Sequence, residues 1–471
     1  MGRANKKSAV GSSLIQKAQG KFIGPQIELL AKAYTLSNEK GTEIGWLHYK
    51  AAELLFDHGA DADTIAAAMM SSPLWDGRAS KIEIRKTLGN TVANILDGFK
   101  PARFASIASG PQRRESIHMF LESLSKTPRK ALLMIAFRFI ELENAYQSNS
   151  VDSRPLAQET IDFFVPIANR LSLGGLRRRL EDLCFNILEP AEYESLKRQV
   201  APMQAEDDSC LKLLMRGVRR LLGKSDLQAE LKARIKSLYG IRHKMIRTGK
   251  SLNEIIDRLG VRIIVASVPE CYTVLGLLHT HFKPIPGTFD DYIGLPKDNG
   301  YQSLHTCVYP VREISHKPIE FQVRTKLMHM EAEQGSASHW MYKNERILKK
   351  GVSQKEWVKG LLRRHKHAVS EDAFLEMLHR QVYSDQLVVF GNGGRIMRLP
   401  ENATVRDYIE SSIVHFGQDA VVRVNGKDAG FDFRLQDGDS IEIITGDKLN
   451  PHTADAVLKA STMTADQAAG A

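Results

Sequence analysis

Cysteine is scarce in this chain. Its 471 residues contain four, Cys184, Cys210, Cys271 and Cys307, and no two form a CxxC pair. Such scatter argues against a zinc site and against a disulfide framework, and suits a reducing cytoplasm. No run of about 18 apolar residues occurs, so no membrane-spanning helix is expected. The basic N-terminus, MGRANKKSAVGSSLIQKAQGK, lacks the apolar stretch of a secretory signal. No GxxxxGK[ST] loop is present, which excludes the P-loop mode of phosphate binding. HRD and DFG signatures are missing too, which excludes a protein kinase. There is no internal repeat.

What is present is ordinary for a soluble protein, with 43% apolar and 25% charged residues, and the length suits about three domains. The net charge of +10 and a pI near 9.2 favour polyanionic partners such as nucleotides or RNA. A solvated Lys- and Arg-rich surface would give the same numbers, so charge alone decides nothing.

Along the chain, residues 1–20 read as a disordered tail. Residues 21–200 carry a helical period, with Ile27, Leu30, Ala31 and Tyr34 on one face. Leu47, Ala51, Leu54 and Leu55 form a second such face, and Leu88, Val92, Ile95 and Leu96 a third. Gly59 and Gly98 stand where helices would stop. Residues 201–210, APMQAEDDSC, read as an acidic linker before a basic amphipathic helix over 211–222. Alternation at Ala229, Leu231, Ala233 and Ile235 predicts a strand. Ser237 is placed to cap a helix that runs through Arg247 and closes at Gly249. VRIIVA (261–266) reads as a central strand, 272–282 as a helix, and 301–311 and 319–324 as strands. Residues 346–382 form a helical connector, and 383–448 a small β-rich domain with a hairpin turning at Gly393-Gly394. Residues 449–471 read as a flexible tail. The fold class is multidomain α+β, ordered as an all-α domain, an α/β mixed-sheet domain and a small β domain.

The densest polar chemistry lies in FDDYIGLPKDNGYQSLH (289–305) and IEFQVRT (319–325). The first has no helical or strand period, and polar loops between apolar strands commonly carry sites. The second alternates, setting Glu320, Gln322 and Arg324 on one face of a strand. Asp257 precedes the VRIIVA strand, and the region also supplies Arg234, Lys236, Lys244, Arg262, Lys297 and Arg324. Two carboxylates for a hard cation and several cations for a polyphosphate are what phosphoryl transfer requires. Singly, each residue has a plainer reading: Asp257 as a turn or cap, Tyr301 as a half-buried sheet residue.

Six segments together resemble the synthetase domain of the RelA/SpoT family. They are RIKSLYGIRHKM (234–245), EIIDRLGVRIIV (254–265), ECYTVLGLLH (270–279), FKPIPGTFDDYIGLPKDNGYQSLHT (282–306), IEFQVRT (319–325) and MHMEAEQGSASHWMYK (328–343). ETIDFFVPIANRLSLGGLRRRLEDLCFNILEP (159–190) resembles the end of the family's hydrolase region, and 386–445 its TGS domain. The resemblance implies an all-α HD-like domain at 21–200, a nucleotidyltransferase-like synthetase domain at 201–345 and a β-grasp-like TGS domain at 383–448. It implies transfer of pyrophosphate from ATP to the 3′-hydroxyl of GDP or GTP, with Mg²⁺, in the cytoplasm. Asp257 and Glu320 then match the metal and catalytic acids, with Glu320 as base. Arg234, Lys236, Lys244 and Arg262 match residues on the ATP phosphates. Tyr301 matches the ring stacked on guanine, and Lys297, Asn299, His305 and Gln322 the acceptor side. Asp290 and Asp291 match the acidic version of a loop that is basic in some relatives.

The chain departs from the family pattern in four places. Gly240 stands where the family usually has Ser, which removes a hydrogen bond of about 0.5–1.5 kcal/mol beside the donor and implies slower catalysis. In the hydrolase region His48 matches the first metal-binding histidine, but the His-Asp pair falls at Ser71-Ser72 and the Glu-Asp at Trp75-Asp76. The later Asp has no counterpart in IAFRFIELENAY (135–146), so hydrolysis is expected to be lost. In the TGS region Gln418 follows Gly417 and Ile413 falls at the upstream histidine, while the family's later domains are expected to be missing after residue 450. Contact with tRNA or the ribosome is therefore the weakest expected partnership. Two other functions fit the same residues: pyrophosphate transfer to another 3′-hydroxyl such as the tRNA end, and non-catalytic nucleotide or RNA binding.

Overall fold

The structure, a computed structural model, describes residues 13–41, 47–98, 111–126, 128–297, 299–311, 317–335, 357–383, 386–391, 395–400, 402–411, 421–436 and 438–444. The chain divides into two compact units, Met1–Phe374 and Leu375–Ala471.

The first unit opens with helices: α1 (13–19), α2 (Gly24–Lys40), α3 (Leu47–Asp57), α4 (Ala62–Trp75), α5 (Lys81–Leu88), α6 (Asn90–Ile95), α7 (Pro111–Lys126) and α8 (Pro128–Gln147). Next, α9 (Ser153–Glu159) runs through a π turn at Thr160–Phe164 into α10 (Val165–Arg170), followed by α11 (Gly174–Leu188) and α12 (Pro190–Val200). At the centre is α4, buried along nearly its whole length, as a helix without a polar face must be. Two expectations change. Helix α1 buries Leu14 and Ala18, so the expected tail does not include 13–19, while 1–12 lie outside the described residues. Leu88, Val92, Ile95 and Leu96 are all buried but not on one helix, because Gly89, at φ 92°, separates α5 from α6.

The rest of the unit is a five-stranded mixed sheet with order β1-β2-β5-β4-β3. It begins with α13 (Gln204–Lys224), then β1 (Glu230–Ile235), α14 (Leu238–Thr248), β2 (Leu259–Val265) and α15 (Val268–His281). The short β3 (Asp290–Asp291), β4 (Leu304–Val308), β5 (Ile319–Thr325) and α16 (Lys326–Gln334) follow. Only β2 and β5 run parallel, side by side at the centre. One sheet face is apolar and lies against α13 and α15, where Val261, Ile263, Phe321 and Val323 meet Leu214, Val218, Val274 and Leu278. The capping expectation for α14 holds. Ser237 accepts from Gly240 N, and Gly249 closes the helix in the left-handed region.

The expected acidic linker at 201–210 is instead a 3₁₀ turn, Ala201–Met203, running into α13. Acidic residues suit a helix N-terminus, where they meet free N–H groups and the positive end of the dipole. Asp207 is buried there and holds the buried Arg258 guanidinium through both oxygens, Oδ1 lying 2.6 Å from Nη2. The strand expected over 301–311 is only Leu304–Val308. The backbone before it is spent on a turn: Gly300 N donates to Lys297 O at 2.6 Å and Lys297 N to Tyr301 O at 3.1 Å.

The connector is helical where described, as α17 (357–367) and α18 (Glu371–Tyr383). The second unit holds a hairpin of β6 (Gln386–Gly391) and β7 (Arg395–Pro400), then α19 (Val405–Ser411), and a sheet of β8 (Val421–Val424), β9 (Lys427–Asp428) and β10 (Ile441–Ile444) in order β10-β8-β9. Leu387, Val389, Leu399, Val405 and Ile441 form its core. Gly393-Gly394, Ile413, Gly417 and Gln418 lie outside the described residues. Among the described residues no helix is long and apolar enough to cross a membrane.

Replacing Asp207 by Ala strands a buried guanidinium and should destabilise the first unit by about 3–5 kcal/mol in urea unfolding. The double replacement Asp207→Leu with Arg258→Met should recover most of that loss.

Candidate active site

The second face of the sheet carries the polar chemistry, and strand register sets its layout. Arg234 on β1 lies opposite Gly260 on β2, Gly260 opposite Glu320 on β5, and Glu320 opposite Cys307 on β4. A side chain at 260 would crowd this row, since a Cβ there would sit 3.0 Å from Glu320 O and 3.6 Å from Glu320 Oε2. Glycine leaves the space over β2 open, and Arg234 Nη1 reaches across it to Glu320 Oε2. The next row is Lys232, Arg262, Gln322, His305 and Asp290.

Glu320 is buried in the middle of this face. Its Oε2 also accepts from Gln322 Nε2 at 2.9 Å, and its Oε1 lies 3.2 Å from His305 Nδ1. Burial pushes its carboxyl up, but the His305 hydrogen bond and the Arg234 charge outweigh that and hold it at about 2. On the far side of the imidazole, His305 Nε2 is 2.9 Å from the Tyr301 hydroxyl. The three side chains form one hydrogen-bonded line, Tyr301–His305–Glu320. Burial would raise the Tyr301 hydroxyl, yet the charges of His305 and Arg324 pull it down to about 7. Burial works against a charged His305, but Tyr301 and Glu320 overcome it and raise the imidazole.

Asp257 ends the loop before β2, beside the start of α14. Its Oδ2 accepts from Lys236 Nζ at 2.7 Å and Lys244 Nζ at 2.6 Å. Burial opposes ionisation, and the two ammonium groups override it, bringing Asp257 to about 2. Its Oδ1 is buried and has no hydrogen-bond partner. Burial also lowers the Lys236 ammonium in spite of its carboxylate partner.

Around Tyr301, the Tyr292 ring meets it edge-on at 6.2 Å, and the Arg324 guanidinium lies 5.9 Å from its centre. Lys297 sits 4.3 Å over the Tyr292 ring. Asn299, expected on the acceptor side, turns elsewhere. Its Nδ2 donates to Asn169 O at 3.1 Å and its Oδ1 accepts from Tyr301 N at 3.1 Å. Asp291 is taken up locally, its Oδ1 accepting from Ile293 N and Gly294 N at 2.9 and 2.8 Å, while Asp290 is exposed.

Arg262, expected among the donor cations, belongs to a second cluster. Its Nη1 lies 3.1 Å from Glu333 Oε1, which also accepts from Arg324 Nη2 at 3.1 Å, while Glu333 Oε2 takes Arg178 Nη2 from α11 at 2.6 Å. Burial raises the Glu333 carboxyl, and the three guanidinium groups pull it down to about 2. His329 sits between Lys232 and Arg324, 3.1 and 2.6 Å away. Burial and these cations lower it to about 4, leaving it neutral. Sequence reasoning missed Glu333, His329, Tyr292 and Gly260. The glycine alone gave a signal, as an isolated Gly inside an apolar strand.

The helical region offers a different picture at the expected metal site. His48, Ser71 and Ser72 are buried. His48 Nε2 lies 3.2 Å from Ser37 Oγ, which donates to Met69 O at 2.9 Å, and Ser71 Oγ donates to Ala68 O at 2.7 Å. Among the described residues no three His, Cys, Asp or Glu side chains are grouped to hold a metal.

Asp257, Glu320 and Glu333 all have folded values below their ordinary 3.8 to 4.5. The stability they contribute is therefore fully present above about pH 4.5 and drains as pH falls toward 2. Urea midpoints should drop between pH 5 and pH 3, with a shallower drop in Glu333→Gln. Midpoints independent of pH in this range would contradict the assignment.

Three regions of the chain match known families. Residues 233–347 match the family described as a region found in RelA / SpoT proteins, 27–174 match the HD domain and 386–445 the ThiS family. The guanosine-3′,5′-bis(diphosphate) 3′-pyrophosphohydrolase of Aquifex aeolicus is 34% identical over 404 residues, 85% of this chain and 57% of the relative. The GTP pyrophosphokinase of Myxococcus xanthus is 29% identical over 441 residues, 91% of this chain and 58% of the relative. A crystal structure of small alarmone synthetase 1 from Bacillus subtilis, bound to its product pppGpp, matches 37% of this chain and 96% of its own at 23% identity and TM-score 0.27. The chain spans somewhat more than half the length of the curated relatives it matches. It belongs to the RelA/SpoT family, with HD, synthetase and TGS-like regions in that order.

Proposed function

We propose that this chain is a (p)ppGpp synthetase that transfers pyrophosphate from ATP to the 3′-hydroxyl of GDP or GTP, releases AMP, and has lost the hydrolase activity. The observation that carries the reading is the row through Glu320, a buried carboxylate set between a cation that can meet a phosphate and an imidazole–phenol pair. The acceptor 3′-oxygen forms a bond to the ATP β-phosphorus while the bond from that phosphorus to the bridging oxygen of AMP breaks. The hydroxyl proton passes to the Glu320 carboxylate. At about 2 that carboxylate is a weak base. Donor phosphates that draw Arg234 away would remove part of what holds it low. Lys236 and Lys244 would turn from Asp257 toward the same phosphates, and the Tyr301 ring would face guanine.

Asp257 and Glu320 would hold Mg²⁺, being hard oxygen donors, and the unpartnered buried Oδ1 of Asp257 fits that role. The bound ion supplies charge neutralisation on the polyphosphate. Loss of hydrolysis is supported by His48, whose Nε2 lies 3.2 Å from the Ser37 hydroxyl, and by the buried Ser71 and Ser72 at the His-Asp position.

Thin-layer separation of nucleotides after incubation with ATP and labelled GDP or GTP tests this reading. Guanosine-dependent AMP release is expected, without breakdown of added ppGpp. Label transferred to tRNA instead would move the function to that 3′-hydroxyl, and no AMP with any acceptor would leave a binding protein. Glu320→Gln should lower turnover by about 10²–10⁴-fold, and unchanged turnover removes it as the base. Gly240→Ser should raise turnover by about 2- to 10-fold through the added hydroxyl. The new Cβ would lie 3.2 Å from Lys236 Cγ and 3.3 Å from the capping Ser237 Oγ, so these neighbours must give by a few tenths of an ångström.

A further inference from the structure

The end of the helical region touches both sides of the site through polar contacts that the proposed chemistry does not use. Ser172 Oγ, in the turn between α10 and α11, donates to Asn299 O at 2.6 Å. Asn299 spans the gap in the other direction through Nδ2 to Asn169 O, and its Oδ1 fixes Tyr301 N. The loop bearing Lys297 and Tyr301 is thus fastened at its middle to another part of the fold. One turn along α11, Arg178 clamps Glu333, whose other oxygen orients Arg262 and the Arg324 that lies over Tyr301. A turn further on, Asp182 Oδ1 accepts from Tyr239 N at 2.9 Å in the first turn of α14, the helix that carries Lys244 to Asp257. The approach is close: a Cβ on Gly174 would lie 2.5 Å from Ala332 O.

We infer that the segment from Asn169 to Asp182 is a positioning element for both nucleotides. Ser172 and Arg178 set the acceptor side through Asn299 and Glu333, and Asp182 sets the donor side through α14. None of the three touches a reacting atom. Asn299 moves with them, from a guanosine ligand to the staple of the guanosine loop. The inference rests on the synthetase reading and adds a role for a region that reading leaves without chemistry.

The two sides can be separated by measurement on the full chain. Calorimetric titration with GDP, and separately with a non-hydrolysable ATP analogue, reads each site without turnover, and KM values for both substrates read them during it. Ser172→Ala and Arg178→Gln should weaken GDP about 2- to 10-fold, the worth of one hydrogen bond, with the ATP analogue within twofold. Arg178→Lys should recover part of the loss. Asp182→Asn should show the reverse preference. Ser172→Gly distinguishes positioning from stability. Ser172 sits at φ +58°, a backbone that glycine relieves, so this variant should melt no lower than the parent and still bind GDP more weakly. Equal loss of both nucleotides, or loss that tracks melting temperature, overturns the inference while leaving the synthetase reading standing. A parent protein that binds neither nucleotide and releases no AMP overturns that reading and the inference with it.

Discussion

A carboxylate buried on a central strand must be neutralised, or the strand does not form. Glu320 sets that constraint here, and the surrounding fold answers it. Gly260 leaves the space above β2 open so that Arg234 can cross from the edge strand. His305 comes from β4 on the opposite side, and Gln322 from two residues along the same strand. The neutralisation is thus spread over three strands and depends on their register. A one-residue slip of β1 would turn Arg234 to the apolar face, away from Glu320.

The same logic shows which parts of this architecture were legible in the sequence. The α14 caps at Ser237 and Gly249, the apolar β2 run and the alternation of β5 are local patterns, and each became the expected element. Glu320, Gln322 and Arg324 share a face because a strand has a period of two. What they meet on that face depends on strand order, and order is not local. Gly260 is informative only once β1 and β5 are known to flank β2. Glu333 was hidden in a helix that reads as an ordinary amphipathic segment, and its partners come from β2, β5 and α11. Asn299 was ambiguous for another reason. A loop asparagine beside a glycine resembles a ligand and a turn residue equally, and its partners in the fold, Asn169 and Ser172, lie more than a hundred residues earlier. The acidic stretch at 201–210 was misread for a simpler reason: carboxylates at a helix start look like a linker until Arg258 arrives to bury Asp207.

The helical region shows how buried polar side chains are satisfied inside an apolar bundle. His48 is buried against Ser37 and Tyr49, and Ser71 is spent on a local carbonyl, so these polar atoms turn to one another and to the backbone. The surrounding helices keep their packing because α4 is apolar on every side and needs cover whatever stands at 71 and 72. The region's contacts with the sheet domain include those from α11 and the turn before it, which reach the Tyr301 loop, Glu333 and the first turn of α14.

The cations of this face are also held by its two carboxylates. Asp257 holds two ammonium groups and Glu320 a guanidinium, so the cations suited to a polyphosphate are already paired, inside the protein, with the two carboxylates suited to a metal ion. Neither set is left buried and unbalanced. On the proposed reading, donor phosphates would compete with these carboxylates for the two lysines and the arginine. Breaking these pairs without replacing them would leave buried charge uncompensated, a cost that any incoming ligand has to offset.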